Sequence, residues 1–144
     1  MSNTVQKSFI QCAKFAVLGA STNREKYGNK VLRWYQKHEL PVTPINAKED
    51  MIEGLRTVAS LGDLDSLQTT GVSIITPPQV TIGALSKVLE LNIPAVWIQP
   101  GAADDAVAEY IRENNLVDKV VYGGPCILVL GEQLLANRQE ESRL

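Results

Sequence analysis

Five short segments of the chain carry the residue types that grip or transform a ligand. Gly19, Ala20, Ser21, Thr22 and Asn23 follow an apolar, β-branched run, and Lys26 comes just before a stretch with helical spacing. Glycine and small residues let the backbone turn sharply and approach a ligand, while hydroxyls and the positive end of a helix favour anions. The segment therefore reads as a phosphate cradle, although it is not Gly-x-Gly-x-x-Gly and its plainest reading is a turn. Asn46, Ala47 and Lys48 stand where the dinucleotide fingerprint wants an acidic residue for the ribose hydroxyls. A lysine there suits a phosphorylated ribose, either the 2'-phosphate of NADP or the 3'-phosphate of coenzyme A, and argues against NAD. Taken alone, it is a solvated surface lysine.

Three further segments close apolar runs in the same way. Thr76, Pro77 and Pro78 precede Gln79, Val80 and Thr81. Two prolines fix the backbone and remove donors, which makes either a rigid apolar shelf or a simple strand-to-helix stop. Gln99, followed by Pro100 and Gly101, offers a side-chain amide at a tight turn. Gly123, Gly124 and Pro125 put Cys126 at the start of a last helix, where the dipole favours a thiolate. The alternative there is a buried, inert cysteine.

Other singular residues carry less. The chain has one histidine, His38, read as an exposed residue near the end of a helix. Trp34 and Trp97 are read as core and Cys12 as a small hydrophobe. One histidine and two cysteines 114 positions apart supply neither a zinc or iron-sulfur ligand set nor a disulfide framework. No Gly-x-Ser-x-Gly elbow and no Walker lysine motif is present.

These segments need a scaffold that brings the ends of several strands together. Runs at 15–18, 42–45, 72–75, 95–98 and 120–122 read as five strands. Between them, Val31, Trp34 and Tyr35, then Leu85, Val88 and Leu89, then Val107, Tyr110 and Ile111 fall on helical stripes. Alternation with near-continuous apolar strands predicts an α/β, Rossmann-like doubly wound fold, a mainly parallel sheet of about five strands with helices on both faces. Pro44 cannot donate to a ladder, so it places the second strand near an edge or marks where its pairing ends, and the strand order stays open. Residues 51–67 are punctuated by Gly54, Gly62 and Asp63 and predict a short extra strand or turn. The 144 residues are read as one domain, with a core at about 14–130 and a polar tail at 137–144 that is either a fraying helix end or a loose tail.

Composition narrows the classes of function. Fourteen basic and 16 acidic residues give a net charge of -2, so no global positive field draws in nucleic acid. No apolar run approaches the roughly 18 residues that a membrane span needs. The N-terminus lacks the basic start and apolar stretch of a secretory signal, and the protein is read as cytoplasmic and as a monomer or homodimer.

The ordered set Phe15-Ala-Val-Leu-Gly-Ala-Ser-Thr-Asn23, Lys26-Tyr-Gly-Asn-Lys-Val31, Pro41-Val-Thr-Pro-Ile-Asn46, Ile52-Glu-Gly54, Thr76-Pro-Pro78 and Ala95-Val-Trp-Ile-Gln-Pro-Gly101 resembles the small stand-alone CoA-binding domain family. That family is similar to the N-terminal domain of succinyl-CoA synthetase α subunits. The resemblance runs from about Lys14 to Leu130 and implies a Rossmann-like domain whose ligand is coenzyme A or an acyl-CoA. It implies that residues 19–23 face the diphosphate, that Asn46, Ala47 and Lys48 flank the 3'-phosphate, and that Thr76, Pro77 and Pro78 line the pantetheine path. Thr81 and Gln99 are neighbours at that edge. The synthetases also use a phosphohistidine from a further domain and a partner subunit, so ligase activity is not carried over.

A non-catalytic binding module is the leading expectation. A small NADP-dependent reductase and a redox-regulatory subunit using Cys126 are the alternatives. Ser142, Arg143 and Leu144 resemble the Ser-Lys-Leu peroxisomal address, which in a eukaryote places the protein in the peroxisomal matrix.

Overall fold

The computed structural model describes residues 3–141. Helix α1 (Asn3–Ile10) leads into strand β1 (Lys14–Leu18), then α2 (Tyr27–Lys37) and β2 (Val42–Ile45). A hairpin of β3 (Met51–Ile52) and β4 (Leu55–Arg56) and two 3-10 turns precede β5 (Thr70–Ile74). The chain then alternates through α3 (Pro78–Leu91), β6 (Ala95–Ile98), α4 (Asp105–Glu113), β7 (Val120–Val121) and α5 (Ile127–Glu141). Five strands form one sheet in the order β2-β1-β5-β6-β7, and each neighbouring pair is parallel. This is the Rossmann-like α/β fold that the alternation predicts.

The apolar character of the strands follows from their position. Every residue of β5 and of β6 is buried, because both faces of the sheet are covered. On one face, Phe9, Phe15, Val31, Trp34, Tyr35, Trp97 and Leu134 join α1, α2 and α5 to the sheet. On the other, Val72, Leu85, Val96, Val107 and Ile111 join α3 and α4. Pro44 lies on the edge strand β2, where its carbonyl accepts from Val58 N at 3.1 Å.

Helix α1 is an addition to the expected elements. Its Phe9 is 0% exposed and its ring meets Phe15 and Trp97. The space is provided by Gly71 in β5, where a methyl group would come within 3.0 Å of the Phe9 ring. The extra strand expected within 51–67 is the β3–β4 hairpin, turned by Glu53 and Gly54, both at positive φ (50° and 79°).

One expectation is resolved and one is corrected. Residues 137–141 continue α5, the helix end rather than the loose tail, with Arg138 Nη1 donating to the Ile10 carbonyl at 2.8 Å and satisfying the end of α1. His38 is half-buried rather than exposed: its ring packs on Trp34, and Nδ1 lies 2.8 Å from the Trp34 carbonyl oxygen. Ser142, Arg143 and Leu144 lie outside the described residues. Among the described residues, no helix is long and apolar enough to cross a membrane.

Candidate ligand-binding site

In an open parallel sheet the ligand crevice forms beyond the carboxyl ends of the strands, where the order of connection reverses. Here the reversal lies between β1, whose crossover runs outward to β2, and β5, whose crossover runs the other way to β6. The loop after β1 occupies this point. Gly19 has φ of 96°, and a methyl group on it would lie 2.0 Å from the Ile75 carbonyl oxygen after β5. A methyl group on Gly28, in the first turn of α2, would lie 2.1 Å from the Gly19 carbonyl oxygen. Two glycines thus let strand, loop and helix approach backbone to backbone. Glycine spacing obscured this in the sequence, because the second glycine comes nine positions after the first and not five, as in the dinucleotide fingerprint.

The loop is held from below by side chains that are not on it. Asn29 is fully buried, and its Nδ2 donates to the Ser21 carbonyl at 2.8 Å and to Glu53 Oε2 at 3.1 Å. Arg33 Nε donates to Asn29 Oδ1 at 2.7 Å, and its Nη2 donates to the Arg24 carbonyl at 2.9 Å. Ser21 Oγ accepts from Asn23 N at 3.1 Å, and Asn23 Oδ1 accepts from Glu25 N at 3.0 Å, so both side chains stiffen the turn. Thr22, Asn23 and Lys26 are exposed, and Lys26, the residue before α2, makes no side-chain cap. The positive end of α2 is left for an external acceptor.

Asn46 joins the second loop to the first. Its Nδ2 donates to the Ala20 carbonyl at 3.0 Å, while its Oδ1 accepts from Lys48 N at 2.7 Å and from Glu49 N at 2.9 Å. Asn46 therefore acts as a brace, with Ala47 and Lys48 exposed on the turn that it shapes. Thr76 Oγ1 and Thr81 Oγ1 are 2.8 Å apart, and Thr81 is fully buried. Thr81 thus fixes Thr76 and the start of α3 rather than presenting its hydroxyl outward. Pro77 is exposed and Pro78 opens α3, an arrangement that fits both the shelf and the strand-to-helix stop.

Gln99 is 1% exposed, and its Oε1 accepts from Ile127 N, the start of α5, at 3.1 Å. The Tyr27 hydroxyl lies 3.4 Å from the same oxygen and is in direct contact with Cys126 Sγ. Burial first, then the bond to Cys126, pushes the Tyr27 phenol up. Trp97 Nε1 donates to the Pro125 carbonyl at 3.0 Å and pins the last loop over the sheet.

A groove of about 510 Å³ opens beside these loops. Leu18, Ala59, Gly62, Val80 and Gly83 line it, with Gln79 and Lys87 among its polar residues. Its wall at 59–62 follows directly on Val58, which bonds to Pro44 and Asn46 at the end of β2. Sequence reading missed this wall because 59–62 belongs to no regular element of useful length. The one available signal was the small size of Ala59, Gly62 and Gly83 together with the exposed apolar Val80.

Comparison with known proteins bears on the fold and the family. Over 110 residues the chain is 24% identical to the uncharacterized protein YneT of Bacillus subtilis (strain 168), covering 76% of this chain and 81% of that one. It resembles the structure of a conserved hypothetical protein from Pyrococcus furiosus, with a TM-score of 0.73 and 29% identity over 81% of this chain and 97% of that one. The fold is also that of part of a dinucleotide-forming acetyl-coenzyme A synthetase from Ca. Korarchaeum cryptofilum, with a TM-score of 0.69 and 20% identity over 82% of this chain and 27% of that one. The family model described as CoA binding domain matches residues 13–132, which takes in all five sheet strands and their connecting loops, and the chain belongs to that family.

Proposed function

We propose that the protein holds coenzyme A or an acyl-CoA across its strand-end loops, as a binding module. The observation that carries this reading is the Gly19–Gly28 backbone contact at the point where β1 and β5 send their crossovers apart, together with a groove that Leu18 lines at the end of β1 and Gln79 and Val80 line at the start of α3. A flat, largely apolar adenine suits a groove walled by Leu18, Ala59, Gly62, Val80 and Gly83. The diphosphate then meets the loop at 19–23 and the uncapped start of α2, with Lys26 at hand. The ribose 3'-phosphate falls toward Lys48, and the pantetheine chain runs along Thr76, Pro77 and Pro78.

Membership of the CoA binding domain family supports the choice of ligand over NADP. The position of the histidine supports binding over acid-base chemistry. His38 follows the C-terminal end of α2, whereas the loops gather at the N-terminal end of that helix.

Calorimetric titration of the reduced protein with coenzyme A, NADP and NAD at moderate salt tests the reading. Micromolar or tighter binding of coenzyme A alone is the expected result. Preference for NADP would replace the reading with a reductase, and binding of none of the three would overturn it.

A further inference from the structure

Tyr27 at the start of α2, Gln99 after β6 and Cys126 before α5 meet at the carboxyl edge of the sheet. The Tyr27 hydroxyl touches Cys126 Sγ and lies 3.4 Å from Gln99 Oε1, which also accepts from Ile127 N at 3.1 Å. A backbone N–H can only donate, so this bond fixes which end of the Gln99 amide is oxygen. The other end, Nε2, is buried and has no partner among the described residues, and Gln99 as a whole is 1% exposed. Unsatisfied buried donors are costly, so the cluster is built to receive an acceptor. Nε2 belongs to the same amide as the oxygen that meets Tyr27 and Ile127, so an acceptor for it would sit beside that amide, in the neighbourhood of the Tyr27–Cys126 contact.

The pair is also reachable. Cys126 is half-buried, and the residues leading to it, Gly123 and Gly124, are exposed and carry no side chains. Their φ values of 87° and 126° make the turn that sets the thiol before the 15-residue helix α5.

We propose that Cys126 is a thiol–disulfide exchange site for the sulfur end of the ligand, taking up coenzyme A from coenzyme A disulfide as a mixed disulfide. The proposal rests on the coenzyme A reading above. With the diphosphate at the Gly19 loop and the pantetheine on the Pro77 shelf, the sulfur end is directed toward the loops after β6 and β7. A pantetheine amide carbonyl is then the acceptor that Gln99 Nε2 lacks.

The exchange balances without a further oxidant. Cys126 loses its proton to water, and its thiolate attacks one sulfur of coenzyme A disulfide. The Cys126–S–S–CoA bond forms as the original S–S bond breaks, and the second coenzyme A leaves as a thiolate that takes up a proton. The Tyr27 hydroxyl, in contact with Cys126 Sγ, is placed to donate to the attacking sulfur. Cys12 is the contrasting thiol: it packs near Gly71, and burial pushes it up to about 11, with Arg138 offsetting part of that rise.

The test is incubation of the reduced, full-length protein with coenzyme A disulfide or with glutathione disulfide, read by intact mass and peptide mapping. The expected result is one dithiothreitol-reversible adduct of a single coenzyme A on Cys126, formed about tenfold faster than the glutathione adduct. Cys126→Ser abolishes it and Cys12→Ser retains it. In the wild type, desulfo-coenzyme A slows adduct formation, which keeps the test decisive should the Cys126→Ser chain fail to fold. Modification at Cys12, or equal rates with both disulfides and no protection by desulfo-coenzyme A, overturns the proposal. Tight calorimetric binding of reduced coenzyme A with Cys126 left unmodified overturns the exchange alone. Absence of both binding and adduct overturns the coenzyme A reading with it.

Discussion

A methyl group placed on Gly28 would lie 2.1 Å from the carbonyl oxygen of Gly19, closer than any real Cβ approaches an oxygen. Helix α2 therefore starts directly on the backbone of the loop after β1, with no side chain between them. The contact sets the position of the helix's positive end relative to that loop, and through it the place where an anion can sit.

Gly28→Ala is expected to force this contact apart. Neither partner is a flexible side-chain end, so the strain must be taken up by the backbone, at about 1–3 kcal/mol of stability. The same displacement weakens coenzyme A binding more than stability alone explains. Denaturant unfolding together with calorimetry on the folded variant checks this. A variant as stable and as tight-binding as wild type would show that the loop tolerates a wider gap.

Lys48→Ala separates a phosphate partner from a bystander. Lys48 is exposed on the turn braced by Asn46, so an ion pair with a 3'-phosphate there would be solvent-screened. A loss of about three- to tenfold in affinity for coenzyme A is expected, with little change for dephospho-CoA, which lacks that phosphate. Equal losses for both ligands in parallel titrations would remove Lys48 from the 3'-phosphate.

The sheet was legible in the sequence because its strands are buried on both faces and read as unbroken apolar runs. Pro44 pointed to an edge or to a pairing end for β2, and the strand lies at the edge. The loops after β1, β2, β5 and β6 were legible for the same reason, since each is the punctuation that follows such a run. What was not legible is what holds those loops. Asn29, Arg33 and Glu53 lie 24 positions apart at the extremes, and nothing in their spacing says that a hairpin turn will reach under the first loop. Helix α1 was missed because eight residues with only a few apolar ones give too short a period to read. The segment at 137–141 left a helix end and a loose tail both open because its polarity suits either, and the bond from Arg138 to Ile10 is visible only in three dimensions.

Stability should fall at alkaline pH in a defined window. Burial pushes the Cys12 thiol from 9.0 to about 11, and burial likewise pushes the Tyr35 phenol up, with its bond to Ser73 offsetting a part. Both groups are neutral when protonated, and the fold favours that form. Their contribution is fully present below about pH 9 and is lost as pH rises toward 11, where the unfolded chain ionises first. Urea midpoints are therefore expected to be level from neutrality to mildly alkaline pH and then to drop, with a shallower drop in Cys12→Ala. A midpoint that stays level throughout would mean that Cys12 is not buried as described.

The hydroxyls of Tyr35 and Ser73 are 2.7 Å apart in the core between α2 and β5, and both residues are 0% exposed. Removing one leaves the other buried without its partner, whereas removing both leaves none. Tyr35→Phe alone should cost about 1–3 kcal/mol, and Tyr35→Phe with Ser73→Ala should cost no more than the single change. Additive losses in the double-mutant cycle would show that the bond contributes nothing of its own.

Glu53 poses a choice between two opposing effects at the proposed phosphate loop. Its Oε2 accepts from Asn29 Nδ2 at 3.1 Å and lies 3.4 Å from Arg24 Nε, so it tethers the loop. It is also a negative charge near a site proposed to hold phosphates, and deleting it would favour anions by simple Coulomb attraction. The charge is paired with Arg24 and part of its field is cancelled, whereas the fully buried Asn29 amide donates to Glu53 as well as to the Ser21 carbonyl and loses one of these two acceptors without Glu53. Tethering should therefore dominate: Glu53→Ala weakens coenzyme A binding about three- to tenfold, and Glu53→Gln, which keeps an acceptor oxygen, recovers most of it. Tighter binding in both variants would reverse this order and make Glu53 a gate against anions instead of a brace.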